Sequence, residues 1–209
     1  MRKRHVMLGV YGRRVIAYCV CVAAVAHLLV MLLSWIVASV CPEMHIRSLL
    51  SGDGIRWMFG KFMEGMASEV LVGLMLVCIA VGAFVRSGLM SAVRSRGLRY
   101  KERYALRLVV GELLVYVTVM SLLTIVPHAP LLSVTGALFP SSFSHSIVAQ
   151  LSIMTWVASL TYGIVAGLVR SVDDALKVLA FGVEAFAPLF ILYFFVCELA
   201  QSVAYVMMW

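Results

Sequence analysis

Residues 15–40 read VIAYCVCVAAVAHLLVMLLSWIVASV, 26 residues with no charged side chain and with His27 and Ser34 as internal polar positions. The hydrocarbon core of a bilayer is about 30 Å thick and is crossed by roughly 20 apolar residues of helix. The stretch therefore has the length of a membrane span. It exceeds the 7–15 apolar residues of a secretory leader, and Val40 before Cys41 does not suit a lipoprotein cleavage site, so the reading is a retained first transmembrane helix. Four further apolar stretches follow, at about 66–85, 108–126, 146–169 and 187–208. The whole chain agrees with its parts. It is 63% hydrophobic and 13% charged, with a mean hydropathy of +1.03, whereas a soluble domain is about half apolar and about a quarter charged. A soluble globular protein is excluded, and so is a disordered chain, because apolar surface on this scale cannot stay solvated.

The net charge of +7 comes from 17 Lys and Arg, 14 of which fall in residues 1–14, 86–107 and 170–177. The remaining three are Arg47, Arg56 and Lys61. Alternate connections between the five stretches are thus basic and the others nearly neutral, the asymmetry that marks cytoplasmic loops. The expected orientation is N-terminus inside and C-terminus outside, in a cytoplasmic membrane. Basic residues distributed in this way act as topology signals with some attraction for anionic lipid, which points to the bilayer as partner and away from nucleic acid.

Two stretches are amphipathic rather than uniformly apolar. Ile55, Met58, Phe59, Phe62, Met63 and Met66 follow the spacing of one helical face, with Asp53 placed to cap the helix. Between 173 and 186, Asp173, Lys177 and Glu184 lie opposite Leu176, Leu179, Ala180 and Val183, and Pro188 marks a junction with the last span. Both are expected to lie in the interface plane. The order span, amphipathic helix, span then occurs twice with opposite direction, a partial inverted repeat of the kind on which secondary transporters are built. The expected fold class is all-α integral membrane. The predicted organisation is a basic N-terminus (1–14), a first half-repeat (15–93), a basic loop (94–107), a connecting span (108–126), an outer loop (127–145) and a second half-repeat (146–209).

Several segments carry a family resemblance. IRSLLSGDGIRWMFGKFMEGM (46–66) and VGLMLVCIAVGAFVRSGLMSAV (72–93) resemble the AbgT family of p-aminobenzoyl-glutamate transporters. LLTIVPHAPLL (122–132), TGALFPSSFSHSIVAQ (135–150), TYGIVAGLVRSVDDALKVL (161–179) and EAFAPLFILYFFVCELAQ (184–201) are similar to a second block of that family, in the same order. The resemblance implies membrane transport of p-aminobenzoyl-glutamate or related aromatic amides and drugs. It further implies proton or sodium coupling, dimers, a bacterial inner membrane and no cofactor. Family members are longer and carry two re-entrant hairpins, so the chain is expected to be shortened, with a separate membrane polypeptide or a second copy as partner. The other readings are a non-transporting remnant or a small structural membrane protein that binds a partner. Lys61-Phe62 and Glu69 depart from the family pattern, and none of its substrate-contacting residues is carried over.

The residues offer little other chemistry. Cys19 and Cys21 lack the spacing of a zinc or redox pair, and the five His are scattered, so no metal site is predicted. No P-loop, dinucleotide fingerprint or hydrolase motif is present, and the expectation is that the chain is not an enzyme. Ser144-His145, in the expected outer loop, has no orienting acid nearby. Ionisable groups at membrane depth are functional suspects by default. Glu198, in the middle of the last span, and Glu112, a turn into the third, are therefore the candidates for a substrate or proton pathway, with Glu69 and His27 behind them. Gly163 and Gly167 form G-x-x-x-G, the spacing of close helix packing.

Overall fold

In the computed structural model of the chain, the described residues are 9–41, 43, 46–95, 97–125 and 142–207; of 10, 62–65, 125 and 142–145 only the backbone is described. All secondary structure among them is helical. The elements are α1 (Val10–Val40), α2 (Gly52–Met66), α3 (Glu69–Arg86), α4 (Leu89–Arg94), α5 (Tyr100–Ile125), α6 (Ser142–Val165) and α7 (Val172–Val206). Five of them, α1, α3, α5, α6 and α7, are long and apolar enough to cross a membrane. The chain is an all-α, multi-pass membrane protein. Its exterior is correspondingly oily: Val22, Leu28, Leu29, Leu114 and Val115 are all more than half exposed, which water would penalise and lipid does not.

Helix boundaries follow local hydrogen-bonding chemistry and correct several expectations. α2 begins one residue after Ser51, whose hydroxyl accepts the Gly54 N–H at 3.1 Å. Ser51 is thus the cap, and Asp53 lies in the first turn, where a carboxylate complements the helix dipole. α5 begins at Tyr100, so most of the basic loop expected at 94–107 is helical. The reason is Glu102, whose carboxylate accepts the Arg99 N–H at 2.9 Å and satisfies a donor at the helix start. The short helix α4, enclosed by the reversal at Gly88 (φ 86°), has no counterpart in the sequence reading.

The stretch 173–186 is not a separate interfacial helix. It forms the first part of α7, which runs unbroken for 35 residues with Pro188 inside it. Proline removes the bond its own N–H would donate and crowds the carbonyl four residues back, yet in a helix of this length the flanking turns hold. At 1.5 Å per residue α7 is about 52 Å long, well beyond the hydrocarbon thickness. Its start is fixed by Ser171, whose hydroxyl accepts the Asp174 N–H at 3.1 Å, while Asp174 accepts the Arg170 N–H at 3.3 Å. The arrangement resembles a capping box, with the carboxylate reaching the N–H one residue before the cap. The second expected half-repeat therefore contains two helices, α6 and α7, where the first contains α1, α2, α3 and most of α4. Ser142–His145, expected in an outer loop, are the first turn of α6, since hydroxylated residues suit a helix start as well as a loop. The rest of that loop, 127–141, and Arg2, Lys3 and Arg4 lie outside the described residues.

The chain divides into two compact units, residues up to 72 together with 185 onward, and residues 73–184. In the first unit, Ser34 of α1 donates to Met31 O at 2.8 Å and accepts the N–H of the fully buried Leu49 at 3.2 Å. The chain after α1 is held to the end of α7 by Arg47 N–H to Val206 O, 3.3 Å. Trp57 of α2 stacks on Tyr205 with ring centroids 4.4 Å apart. Ser68 caps α3 through Leu71 N–H and shares a short hydrogen bond with Tyr193 of α7.

In the second unit, Leu89, Ala92, Ala105, Val109, Met154, Ala158 and Tyr162 form one core where α4, α5 and α6 meet. Ala83, Val169 and Val178 form another, covered by Trp156 and Leu160. Beside it α3 and α7 touch backbone to backbone. A Cβ on Gly82 would strike the backbone of Gly182, and one on Gly182 would strike the carbonyl of Cys78.

Candidate functional site

The α5–α6 pair carries one expected site residue, Glu112, and one residue not singled out in the sequence, Gln150, each with a buried oxygen that lacks a partner among the described residues. On α5 the buried positions Ala105 and Val109 are one turn apart, and Glu112 continues the same face. On α6 Gln150, Met154, Ala158 and Tyr162 recur at every fourth residue. The start of α5 and the end of α6 share a core through Leu98, Leu106, Tyr162 and Ala166, so the helices run antiparallel. Glu112 lies one turn beyond Val109 on α5, and Gln150 one turn before Met154 on α6, each next to a position of that core.

Both side chains present a buried oxygen with no hydrogen-bond partner among the described residues, Oε2 of Glu112 and Oε1 of Gln150. The Gln150 amide is oriented by its nitrogen, which donates to Ser146 Oγ at 2.7 Å, leaving the carbonyl oxygen as the free end. Each such oxygen is costly, because an unmet buried polar group loses its hydration without compensation. Among the described residues, the elements packed against this core carry Tyr162 on α6, Arg94 on α4 and Arg86 on α3. On α5 itself Glu102, Arg103 and Arg107 lie toward its start and Tyr116 one turn beyond Glu112. The side chain of His145 is not among those described.

The other expected residues are placed elsewhere. Glu198 is half-buried on α7 within the first unit, whereas Glu112 belongs to the second. Glu69 is exposed in the first turn of α3. His27 is half-buried on α1 with Nδ1 unpartnered among the described residues. The glycine pair is corrected. α6 ends at Val165, and Gly167 lies beyond it at φ 76°. Gly167 N–H bonds Ile164 O at 3.0 Å and Leu168 N–H bonds Gly163 O at 2.8 Å, the paired bonds of a Schellman termination. Gly163 and Gly167 therefore form no ridge on one helix. Gly163 packs instead under Val169, where an added Cβ would come within 2.7 Å of a methyl group.

Gln150 and the Gly82–Gly182 contact were missed in the sequence. A glutamine in an apolar span was a signal available for the first. The second pairs residues a hundred positions apart and has no local pattern. Among the described residues no group of three metal-ligating side chains comes together.

The sequence profile of the AbgT transporter family matches residues 93–208. That range takes in α5, α6 and α7 and so contains Glu112, Gln150 and Glu198; the resemblance seen at 46–92 lies outside it. Comparison with curated proteins and with solved structures returned no match.

Proposed function

Since the chain belongs to the AbgT transporter family, we propose that it moves an aromatic amide carboxylate of the p-aminobenzoyl-glutamate type across a bacterial cytoplasmic membrane, N-terminus inside and C-terminus outside, with Glu112 as the proton-carrying group. The observation that supports this reading is the buried oxygen of Glu112, without a hydrogen-bond partner among the described residues, on an apolar helix inside the matched segment. A carboxylate at membrane depth costs roughly 2.5–3.5 kcal/mol on insertion scales and is a functional suspect by default. The orientation rests on the distribution of Lys and Arg.

The test is flux into proteoliposomes containing the purified chain, with labelled p-aminobenzoyl-glutamate and an imposed pH gradient. The expected result is saturable, gradient-dependent uptake. Glu112→Gln keeps the shape and removes the exchangeable proton, so it should leave flux insensitive to the gradient. Uptake no greater than in protein-free vesicles refutes the activity, and an unaltered gradient response in Glu112→Gln refutes the role of that carboxyl. Reporter fusions within 97–99 test the orientation, and a signal from the side opposite the N-terminus overturns it.

A further inference from the structure

The first unit carries a second feature unrelated to Glu112. A cavity of about 210 Å³ opens on its surface between α1 and the end of α7, with Val30, Leu33, Val37, Val203 and Val206 in its walls. Ser34 is the one hydroxylated residue lining it; it is buried, donates to Met31 O and accepts from Leu49 N–H. The walls therefore offer a polar solute little to bond, and water entering an apolar groove finds too few of the partners it needs. Leu33 and Met207 are more than half exposed, so the groove opens sideways onto the same surface that faces hydrocarbon.

One end of the groove has different chemistry. Ile46 lines it, and the next residue, Arg47, is anchored there by its backbone bond to Val206 O. The guanidinium carbon lies 5.7 Å from the centroid of the Tyr205 ring, and Trp57 stacks on the same ring. Stacking holds the guanidinium in place without consuming its N–H donors. Arginine, tyrosine and tryptophan together are the side chains that favour the headgroup level of a bilayer. From Val37 to Val30 the groove descends from that level by about 10 Å along α1, at 1.5 Å per residue.

We infer that this groove is a phospholipid site: one acyl chain lies between α1 and α7, and the phosphate of an anionic lipid is held by Arg47 on the Trp57–Tyr205 stack. The apolar walls select hydrocarbon over solute, and the cation at the mouth selects an anionic headgroup over a zwitterionic one. The contrast is about fivefold for one arginine near the surface.

The experiment is native mass spectrometry of the purified chain, delipidated and then equilibrated with phosphatidylglycerol or phosphatidylcholine of identical palmitoyl and oleoyl chains. The wild type is expected to retain one phosphatidylglycerol, with about fivefold weaker retention of phosphatidylcholine. Arg47→Gln should bring the two lipids level by weakening phosphatidylglycerol alone. Leu33→Trp fills the groove from an exposed wall position that the fold does not depend on, and should lower retention of both. Val203→Phe does the same from α7. Equal retention of the two lipids by the wild type overturns the assignment, as does a surviving preference in Arg47→Gln or undiminished retention in both groove-filling variants.

Discussion

Gly182→Ala tests the crossing of α3 and α7 most directly. The added methyl would be placed on the carbonyl of Cys78 and 3.0 Å from Gly82 Cα. These atoms belong to a helix backbone and have no rotamer to escape into. The helices must separate by roughly the missing part of a van der Waals contact, of order 1 Å. Overpacking of a tight site costs typically 1–3 kcal/mol, and rigid backbone on the receiving side puts this case at the upper end, about 3 kcal/mol. Separation also loosens Ala83 and Val178, whose core adjoins the crossing. Unfolding of the purified protein by SDS in mixed micelles is a suitable assay, read through Trp156, which packs on that core. Gly82→Ala should act in the same direction, and the double variant should cost less than the two single losses added, since both methyls push the same helices apart. Gly60→Ala is the internal control. Nothing lies within 4 Å of its added Cβ, and replacing a mid-helix glycine should stabilise by roughly 0.5–1 kcal/mol. A Gly182→Ala protein whose midpoint equals that of the wild type would show that the backbones are not in contact, and the argument would fail.

Three further outcomes follow from described contacts. Ser51→Ala removes the acceptor for Gly54 N–H and should destabilise α2 by about 1 kcal/mol, seen as earlier proteolysis in the 46–66 segment, while Ser51→Asp should not. Gly167→Ala forces an L side chain to φ 76° and should cost about 1 kcal/mol in the same SDS titration, whereas Gly167→Asn should recover much of it. Gln150→Leu removes one of the two unpartnered acceptors on the α5–α6 pair, and Glu112→Leu the other. Since each replaces a buried oxygen without a partner among the described residues by an alkyl group, neither should destabilise the protein in SDS titration by more than about 1 kcal/mol; a larger loss would show that the oxygen is bonded.

Much of the architecture was legible because bilayer physics writes in long runs. The five spans, their order and the amphipathic α2 all followed from apolar length and helical period, and they are what the structure contains. What escaped the sequence was decided by single contacts. Pro188 reads as a junction in one dimension, yet α7 passes through it. Tyr100–Arg107 read as a basic loop because charge dominates their composition, yet the Glu102 carboxylate suffices to start α5 there. G-x-x-x-G reads as a packing face only if the helix continues through both glycines, and α6 stops between them. The real close approach, Gly82 against Gly182, joins two unremarkable glycines from distant parts of the chain. Within the candidate site Glu112 stood out as a charge in an apolar run. Gln150 did not, because whether its amide oxygen finds a partner depends on the packing of α6 and not on its neighbours in sequence.

The hydroxyl of Ser34 gives α1 a mutational profile of two kinds. Around it, valines and leucines touching lipid can interchange across generations at little cost, since one branched alkyl group suits acyl chains as well as another. Ser34 cannot drift in this way: alanine would fit the volume yet strand the Leu49 N–H where no water can reach it. A saturation library scored for correctly inserted protein should therefore show a long helix that accepts almost any greasy residue, crossed by one position at which a single lost oxygen is not forgiven.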